Sequence, residues 1–246
     1  MGSGNWGTKI GVLTPGTNLT VESELRALAV PSATVATARI HIDQIKWEKP
    51  DDLRRFVDGV NDHIAQTASE LMQVQPDILM LGIASSPLWD GLEGNRNIKE
   101  QTKKQTGLDM ITPVDAVHAA LNLLNVTQIG VVTPYPQIAD DKIVAFFKEM
   151  GVEVVVQQSL RAGSAQEIGE VALTDIVAAF RAACVPGIEA IVQLGTDLRT
   201  ARVAAQAELW LGLPALAANT TTWWHTLRQA GIDTQLAGWG LLLEEH

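Results

Sequence analysis

Lys9-Ile-Gly-Val-Leu-Thr-Pro15 and Gln128-Ile-Gly-Val-Val-Thr-Pro134 are one short passage written twice, about 120 residues apart. Each is a β-branched run closed by Thr-Pro, the form taken by a buried parallel strand that delivers its C-terminal end into a loop. Two further pairs follow in the same order. Asp77-Ile-Leu-Met-Leu-Gly82 leads into Ile83-Ala84-Ser85-Ser86, and Glu189-Ala-Ile-Val-Gln-Leu194 leads into Gly195-Thr196-Asp197-Leu198. Gly107-Leu108-Asp-Met-Ile-Thr112-Pro113 then answers to Gly212-Leu213-Pro-Ala-Leu-Ala217-Ala218. Three pairs in register make an internal duplication the economical reading.

Helix-like stretches lie between the strands: 51–74, with apolar Leu53, Phe56, Val57, Val60 and Ile64, then 116–124, 139–150 and 175–184. Thr112-Pro113 offers an N-cap followed by proline in the first turn. Alternating strands and helices imply parallel sheets wound by right-handed crossovers. The expected fold is α/β: two Rossmann-like halves related by pseudo-two-fold symmetry, with an active site in the cleft between them. Residues 8–114 with 217–246 are expected to form the first half and 115–216 the second, the last segment crossing back.

The 246 residues are 46% hydrophobic and 19% charged, which suits a chain with a well-buried core, and a formal net charge of −10 argues against a nucleic-acid-binding surface. The single cysteine, Cys184, excludes an internal disulfide and a cysteine-based zinc site and fits a reducing compartment, so the cytoplasm is expected. Met1-Gly2-Ser3-Gly4-Asn5 lacks the basic and apolar regions of a secretory signal, and no apolar run is long enough to span a bilayer. No chemistry is placed on either end. Trp210-Leu-Gly-Leu213 is an apolar segment suited to a subunit interface, and a homo-oligomer, dimer or tetramer, is expected.

Four strand-end loops carry polar groups. In Thr14-Pro15-Gly16-Thr17-Asn18-Leu19-Thr20, backbone N–H groups with the Thr17 and Asn18 side chains suit a carboxylate at a helix N-terminus; simple helix capping explains them equally. Ser85 and Ser86 offer hydroxyl donors or, equally, a Ser-Ser-Pro turn. Tyr135, the only tyrosine, stands just past a core strand, where a phenol can bind a carboxylate, deliver a proton, or merely pack. Asp197 is a general base if buried and a helix N-cap otherwise, with Arg199 as its ion-pair partner or a surface residue. His225 lies on an aromatic helical face and reads as structural. No metal constellation, P-loop, Gly-x-Gly-x-x-Gly fingerprint or Gly-x-Ser-x-Gly elbow is present, so neither metal nor cofactor is called for.

At these loops the chain resembles the maleate cis-trans isomerase and arylmalonate decarboxylase branch of the aspartate/glutamate racemase superfamily. The resemblance spans nearly the whole chain and rests on 10–22, on Val131-Val-Thr-Pro-Tyr135, on Thr196-x-Leu-Arg-Thr200 and on Asn219-Thr-Thr-Thr-Trp-Trp-His-x-Leu-Arg228-x-Ala-Gly231. It implies two Rossmann-like halves with the substrate between them. It also implies a cysteine on one or both faces of the substrate, at positions that here are Ile83, or Ala84 with one residue of slack, and Gly195. Both thiols are missing, and Cys184 precedes its strand and cannot replace them.

What remains is carboxylate-binding equipment, with Thr17, Asn18, Ile83, Ala84, Ser86, Gly195, Thr196 and Asn219 as expected substrate contacts and Tyr135, Asp197 and Ser85 as catalytic candidates. The leading expectation is a cofactor-independent lyase, a decarboxylase or hydratase, on a small mono- or dicarboxylate, with Tyr135 or Asp197 handling protons. The alternatives are a cysteine-independent isomerase of maleate-like acids working through Asp197, and a non-catalytic carboxylate-binding protein.

Overall fold

In the computed structural model, which describes residues 6–49 and 51–246, each repeated passage is the second strand of its own four-stranded sheet. The expectation about residues 1–5 lies outside the described residues. The first half runs β1 (Thr8–Pro15), α1 (Thr20–Ala27), β2 (Ala33–Ile40), α2 (Asp52–Leu71), β3 (Ile78–Leu81), α3 (Ser85–Trp89), α4 (Gly91–Thr106), β4 (Met110–Ile111) and α5 (Pro113–Leu124). The second runs β5 (Gln128–Thr133), α6 (Asp140–Glu149), β6 (Glu153–Ser159), α7 (Ala165–Ile168), α8 (Leu173–Ala183), β7 (Ala190–Gln193), α9 (Ala201–Leu211), β8 (Ala215–Ala217), α10 (Ala218–Gln229) and α11 (Leu241–Glu245).

Strand order is β2-β1-β3-β4 in one sheet and β6-β5-β7-β8 in the other, and every pairing is parallel. Ile10–Leu13 pairs with Ile78–Leu81 just as Ile129–Val132 pairs with Ala190–Gln193, so the three sequence pairs occupy equivalent sheet positions. The central strands are continuous apolar runs because helices cover both faces. The glycine shared by the two repeats is needed for close approach: a Cβ on Gly130 would lie 2.4 Å from the Ala183 carbonyl oxygen. At Gly11 the obstacle is the movable end of Leu79, at 2.8 Å.

Thr112 caps α5 by accepting the Asp115 N–H at 3.2 Å, with Pro113 in the first turn. The stretch 51–74 is α2 followed by a 3-10 turn at Met72–Val74, and 139–150 is α6 with a 3-10 turn at its start. Strands β2 and β6 and helices α4 and α9 carry no clear periodic signal in sequence. β2 and β6 are half-exposed edge strands, and α4 buries only Asn95, Ile98 and Thr102.

Helix α10 leaves the second sheet and packs against α5, with further contacts to α1, β3 and β4. Its fully buried Trp223 donates from Nε1 to the Leu28 carbonyl at 3.0 Å. Because all eight strands are parallel within their sheets, both sets of strand C-termini open toward one junction, where Asn18 meets Thr196 across the halves.

Candidate functional site

The junction is built by four strand-end loops, those after β1, β3, β5 and β7, and two covering segments. After β1, the Asn18 N–H returns to the Pro15 carbonyl at 3.0 Å, and the Asn18 Oδ1 accepts the Val21 N–H at 3.0 Å. Arg39 holds the outside of this loop through the carbonyls of Gly16 and Asn18, at 3.2 and 2.9 Å, and pairs with Glu22. After β3, the Gly82 N–H donates to the Leu13 carbonyl at 2.6 Å, and the chain enters α3 with Ile83 and Ser85 both buried. After β7, Gln193 locks the turn: its Nε2 donates to the carbonyls of Leu194 and Gly195, while its Oε1 accepts from Thr200 Oγ1 at 2.6 Å and the Ala218 N–H at 3.1 Å. Gly195 sits there at φ +98°, and a Cβ on it would lie 2.5 Å from the Pro134 ring. Pro134 can therefore close over the loop and set Tyr135 beside it.

These loops enclose a cavity of ≈ 30 Å³, room for roughly two waters. Thr17, Asn18, Ile83, Ser85, Tyr135, Gly195, Thr196 and Asp197 line it, closed by Trp47, Phe56, Ala165 and Ile168. The cover comes from both halves: the Trp47 N–H donates to the Gly163 carbonyl at 2.7 Å, and Lys46 and Ser164 form an antiparallel bridge. Outside it lies a second cavity of ≈ 450 Å³, which shares Thr17 and Ala165 with the inner one.

Among the expected residues, Ala84, Ser86 and Asn219 do not line the inner cavity. Ser86 is buried against a separate cleft between α2 and α4, lined also by Asn61 and Glu93. Asn219 lies behind the Thr196 loop, donating from Nδ2 to the Thr196 carbonyl at 2.8 Å and to Glu24 Oε2 at 2.6 Å. His225 is half-buried on α10 outside the cavity; burial pushes its imidazole down, opposed by Asp115. Cys184 caps the end of α8. Among the described residues, no three His, Cys, Asp or Glu side chains gather as a metal-holding group.

Donor capacity separates the lining residues. Thr196 Oγ1 gives its one proton to the Gly82 carbonyl at 2.7 Å and accepts from Asn18 Nδ2 at 3.1 Å, so its hydroxyl is a strut between the halves. Asn18 keeps one amide proton free of that bond. Tyr135 is buried, and that burial pushes its phenol up from the ordinary range, against an opposing pull from the Ser85 hydroxyl and backbone. It therefore stays a neutral O–H donor beside Ser85.

Asp197 is committed elsewhere. Its Oδ1 accepts the Thr20 N–H at the start of α1 at 3.2 Å, and its carbonyl accepts Thr20 Oγ1 at 2.8 Å. Burial pushes its carboxyl up, opposed by Thr20 and by Arg39. The capping is reciprocal: Glu24 on α1 accepts the Ala201 N–H at the start of α9 at 2.9 Å, and burial pushes Glu24 up to about 7. Each half thus supplies a carboxylate to a helix N-terminus of the other, where the dipole favours negative charge.

Sequence reading passes over Trp47, Ile168 and Gln193, and takes Phe56 only as part of the apolar face of α2. Trp47 and Ile168 sit in segments with no motif, and only the tertiary fold brings them and Phe56 over the loops. Gln193 carries a faint signal, a polar side chain at the end of an apolar strand.

The family model of arylmalonate decarboxylase matches residues 53–243. A maleate isomerase of Nocardia farcinica is 22% identical over 245 residues, covering 96% of each chain. An arylmalonate decarboxylase of Bordetella bronchiseptica is 25% identical over 201 residues, covering 80% of this chain and 81% of that one. In structure, a cysteine-to-serine mutant of the Nocardia farcinica maleate cis-trans isomerase, bearing a covalently bound succinylcysteine intermediate, superposes with a TM-score of 0.86 at 20% identity, over 97% of this chain and 99% of that one. With the profile covering well over half of its length and two sheets wound in the same order around one junction, this chain belongs to the arylmalonate decarboxylase family.

Proposed function

We propose that the protein is a cofactor-independent lyase that acts on a small carboxylate by stabilising oxyanion charge between its two halves, decarboxylation being the favoured reaction. The observation that carries this reading is the division of the inner cavity. Tyr135, Ser85 and the spare Asn18 proton offer neutral donors, Trp47, Phe56, Ile83 and Ile168 present apolar surface, the Asp197 carboxyl is held at the start of α1, and among the described residues no lysine, arginine or histidine lines the space. In such a site a carbon–carbon bond breaks to release carbon dioxide on the apolar side. The electron pair moves into the retained carboxylate, whose enediolate oxygens face the donors, where enclosure strengthens each hydrogen bond. Tyr135, a neutral phenol beside Ser85, is the proton source that this reading assigns.

The family relatives named for maleate isomerisation keep a second reaction in view, since one of them carries a succinylcysteine intermediate. Here neither Ile83 nor Gly195 can form such an adduct. Proton transfer through Asp197 would require it to leave the start of α1. The lyase reading needs neither event.

We take the protein to work in the cytoplasm as a homo-oligomer, a reading supported by the lone Cys184 and by exposed Leu209 and Trp210 on α9. No described helix is long and apolar enough to cross a membrane. The test is incubation with phenylmalonate, methylmalonate and maleate, with products followed by mass spectrometry. Loss of the mass of carbon dioxide from a malonate supports the proposal. Conversion of maleate at constant mass would replace it with isomerisation, and stabilisation without any product would replace it with a non-catalytic binder.

A further inference from the structure

Of the four side chains that close the inner cavity, Trp47, Phe56, Ala165 and Ile168, only Trp47 carries a strong hydrogen-bond donor. Its side chain is buried, lines the cavity and packs edge-on against Phe56 with ring centroids 5.7 Å apart. Its main-chain N–H is already committed to the Gly163 carbonyl. The indole Nε1–H, by contrast, is enclosed and has no hydrogen-bond partner. Indole nitrogen can only donate, so the group has no means of satisfying itself by switching role. A buried donor without an acceptor opposes folding, and phenylalanine would fill much of the same apolar space without that cost.

We propose that the Trp47 indole N–H is a substrate-binding group that the cover carries onto the ligand, donating to an oxygen acceptor other than the one that Tyr135 and Ser85 meet. This rests on the reading of the cavity as a carboxylate site. It narrows the ligand class to acids with two acceptor groups, one met by the strand-end loops and one by Trp47. The closed cavity holds roughly two waters, less than such an acid needs, so the ligand enters by parting the Trp47–Gly163 contact and the cover settles over it displaced outward. Closure and recognition are thereby joined in one residue: the segment that shuts out water is the one that gains a hydrogen bond when the right ligand is beneath it.

The proposal predicts effects of opposite sign on the free and the bound protein. Trp47→Phe keeps the aromatic packing and deletes the donor. The free variant is expected to melt at a temperature equal to or about 2 °C above the wild type, because an unpaired buried donor is gone. Its affinity for whichever of maleate, malonate or phenylmalonate stabilises the wild type is expected to fall about tenfold, the loss of one hydrogen bond to a charged acceptor. Affinity for the one-carboxylate counterparts, acrylate, acetate and phenylacetate, is expected to stay within twofold.

A free variant that melts several degrees lower would mean that the indole N–H has a partner within the protein, and would overturn the proposal. So would unchanged affinity for the diacid. Should Trp47→Phe fail to fold, the indole N–H resonances of the wild-type protein decide: one must shift downfield on saturation with the diacid, and none moving overturns it. If no acid stabilises the wild type, the carboxylate reading fails, and the melting temperature of the free variant still reports on the unpaired donor by itself.

Discussion

The loops after β3 and β7 occupy the same place in their sheets, yet they build opposite kinds of wall. After β3 the chain turns at once into α3 and presents the Ile83 side chain to the cavity. After β7 it passes through Gly195 in a left-handed conformation, with Pro134 packed where a Cβ would go, and runs on to Thr200 before α9 begins. One face of the site is therefore hydrocarbon and the other is backbone. Equivalent topology fixed where the loops meet; local backbone conformation decided what chemistry each can carry. A side chain at 195 is excluded by geometry, whereas at 83 a side chain of any modest size has room.

The largest expected effect comes from the residue that the bare Gly195 face allows into place. Tyr135→Phe removes the phenolic donor and keeps the ring, so kcat should fall roughly 10²–10³-fold with stability little changed. Steady-state kinetics on the accepted substrate, beside a denaturant titration, measure both. Turnover within a few-fold of wild type would remove Tyr135 from the chemistry.

Gly195→Cys comes next. It forces a side chain into a φ that L-residues avoid and into the Pro134 ring, and should cost about 3 kcal/mol of stability, read by urea unfolding. Activity should drop too, since Pro134 must shift and Tyr135 with it. Ile83→Cys, the same substitution on the opposite face, leaves backbone and neighbours in place and should cost about 1–2 kcal/mol for the lost side-chain volume. Its thiol should react with a small alkylating reagent only slowly, behind Trp47. A larger loss for Ile83→Cys than for Gly195→Cys would reverse the distinction drawn between the two walls.

The smallest effect concerns the pair of carboxylates that tie the walls together. Glu24, pushed up to about 7, binds its proton more tightly in the folded than in the unfolded chain. Its contribution to stability is thus fully present below the ordinary carboxylate value near 4.5 and is lost as pH rises through about 7. Asp52 and Glu189 act the other way: hydrogen bonds to Asp52 from the backbone at Lys49 and to Glu189 from Thr127 hold both below the usual range, and their contributions are lost as pH falls. Urea unfolding should therefore show a decline of about 1 kcal/mol between pH 5 and 6 that Glu24→Gln reduces, the raised Asp197 and Glu208 adding to the slope in the same direction. A slope that the substitution leaves unchanged would assign it to those other groups.

Much of this architecture is legible in the amino-acid sequence. The duplicated strands stand out because a buried parallel strand must be apolar along its whole length, so Ile10-Gly11-Val12-Leu13 and Ile129-Gly130-Val131-Val132 cannot drift far from each other. Edge strands β2 and β6 escape notice for the converse reason: half-exposed sequences such as Ala33–Ile40 satisfy their backbone without an apolar run. Of the loop residues that carry polar or family-matched positions in the sequence, eight line one cavity, because strand C-termini of parallel sheets converge by topology. Ser86 and Asn219 are neighbours of that cavity in sequence and similarity, and the helical turn carries their side chains away from it.

By itself, then, the sequence determined the two-fold α/β plan, the loops that meet at the cavity and the absence of a thiol at both flanks, since these depend only on residue type and order along the chain. Tertiary structure alone decided that Thr196 and Asp197 spend their hydrogen bonds holding the halves together, that Gly195 has no space for a side chain, and that Trp47 closes the site with an unpaired donor. Each of those facts depends on which groups from distant segments share one enclosed volume, and that is settled by packing and by the competition for hydrogen-bond partners, neither of which is local in sequence.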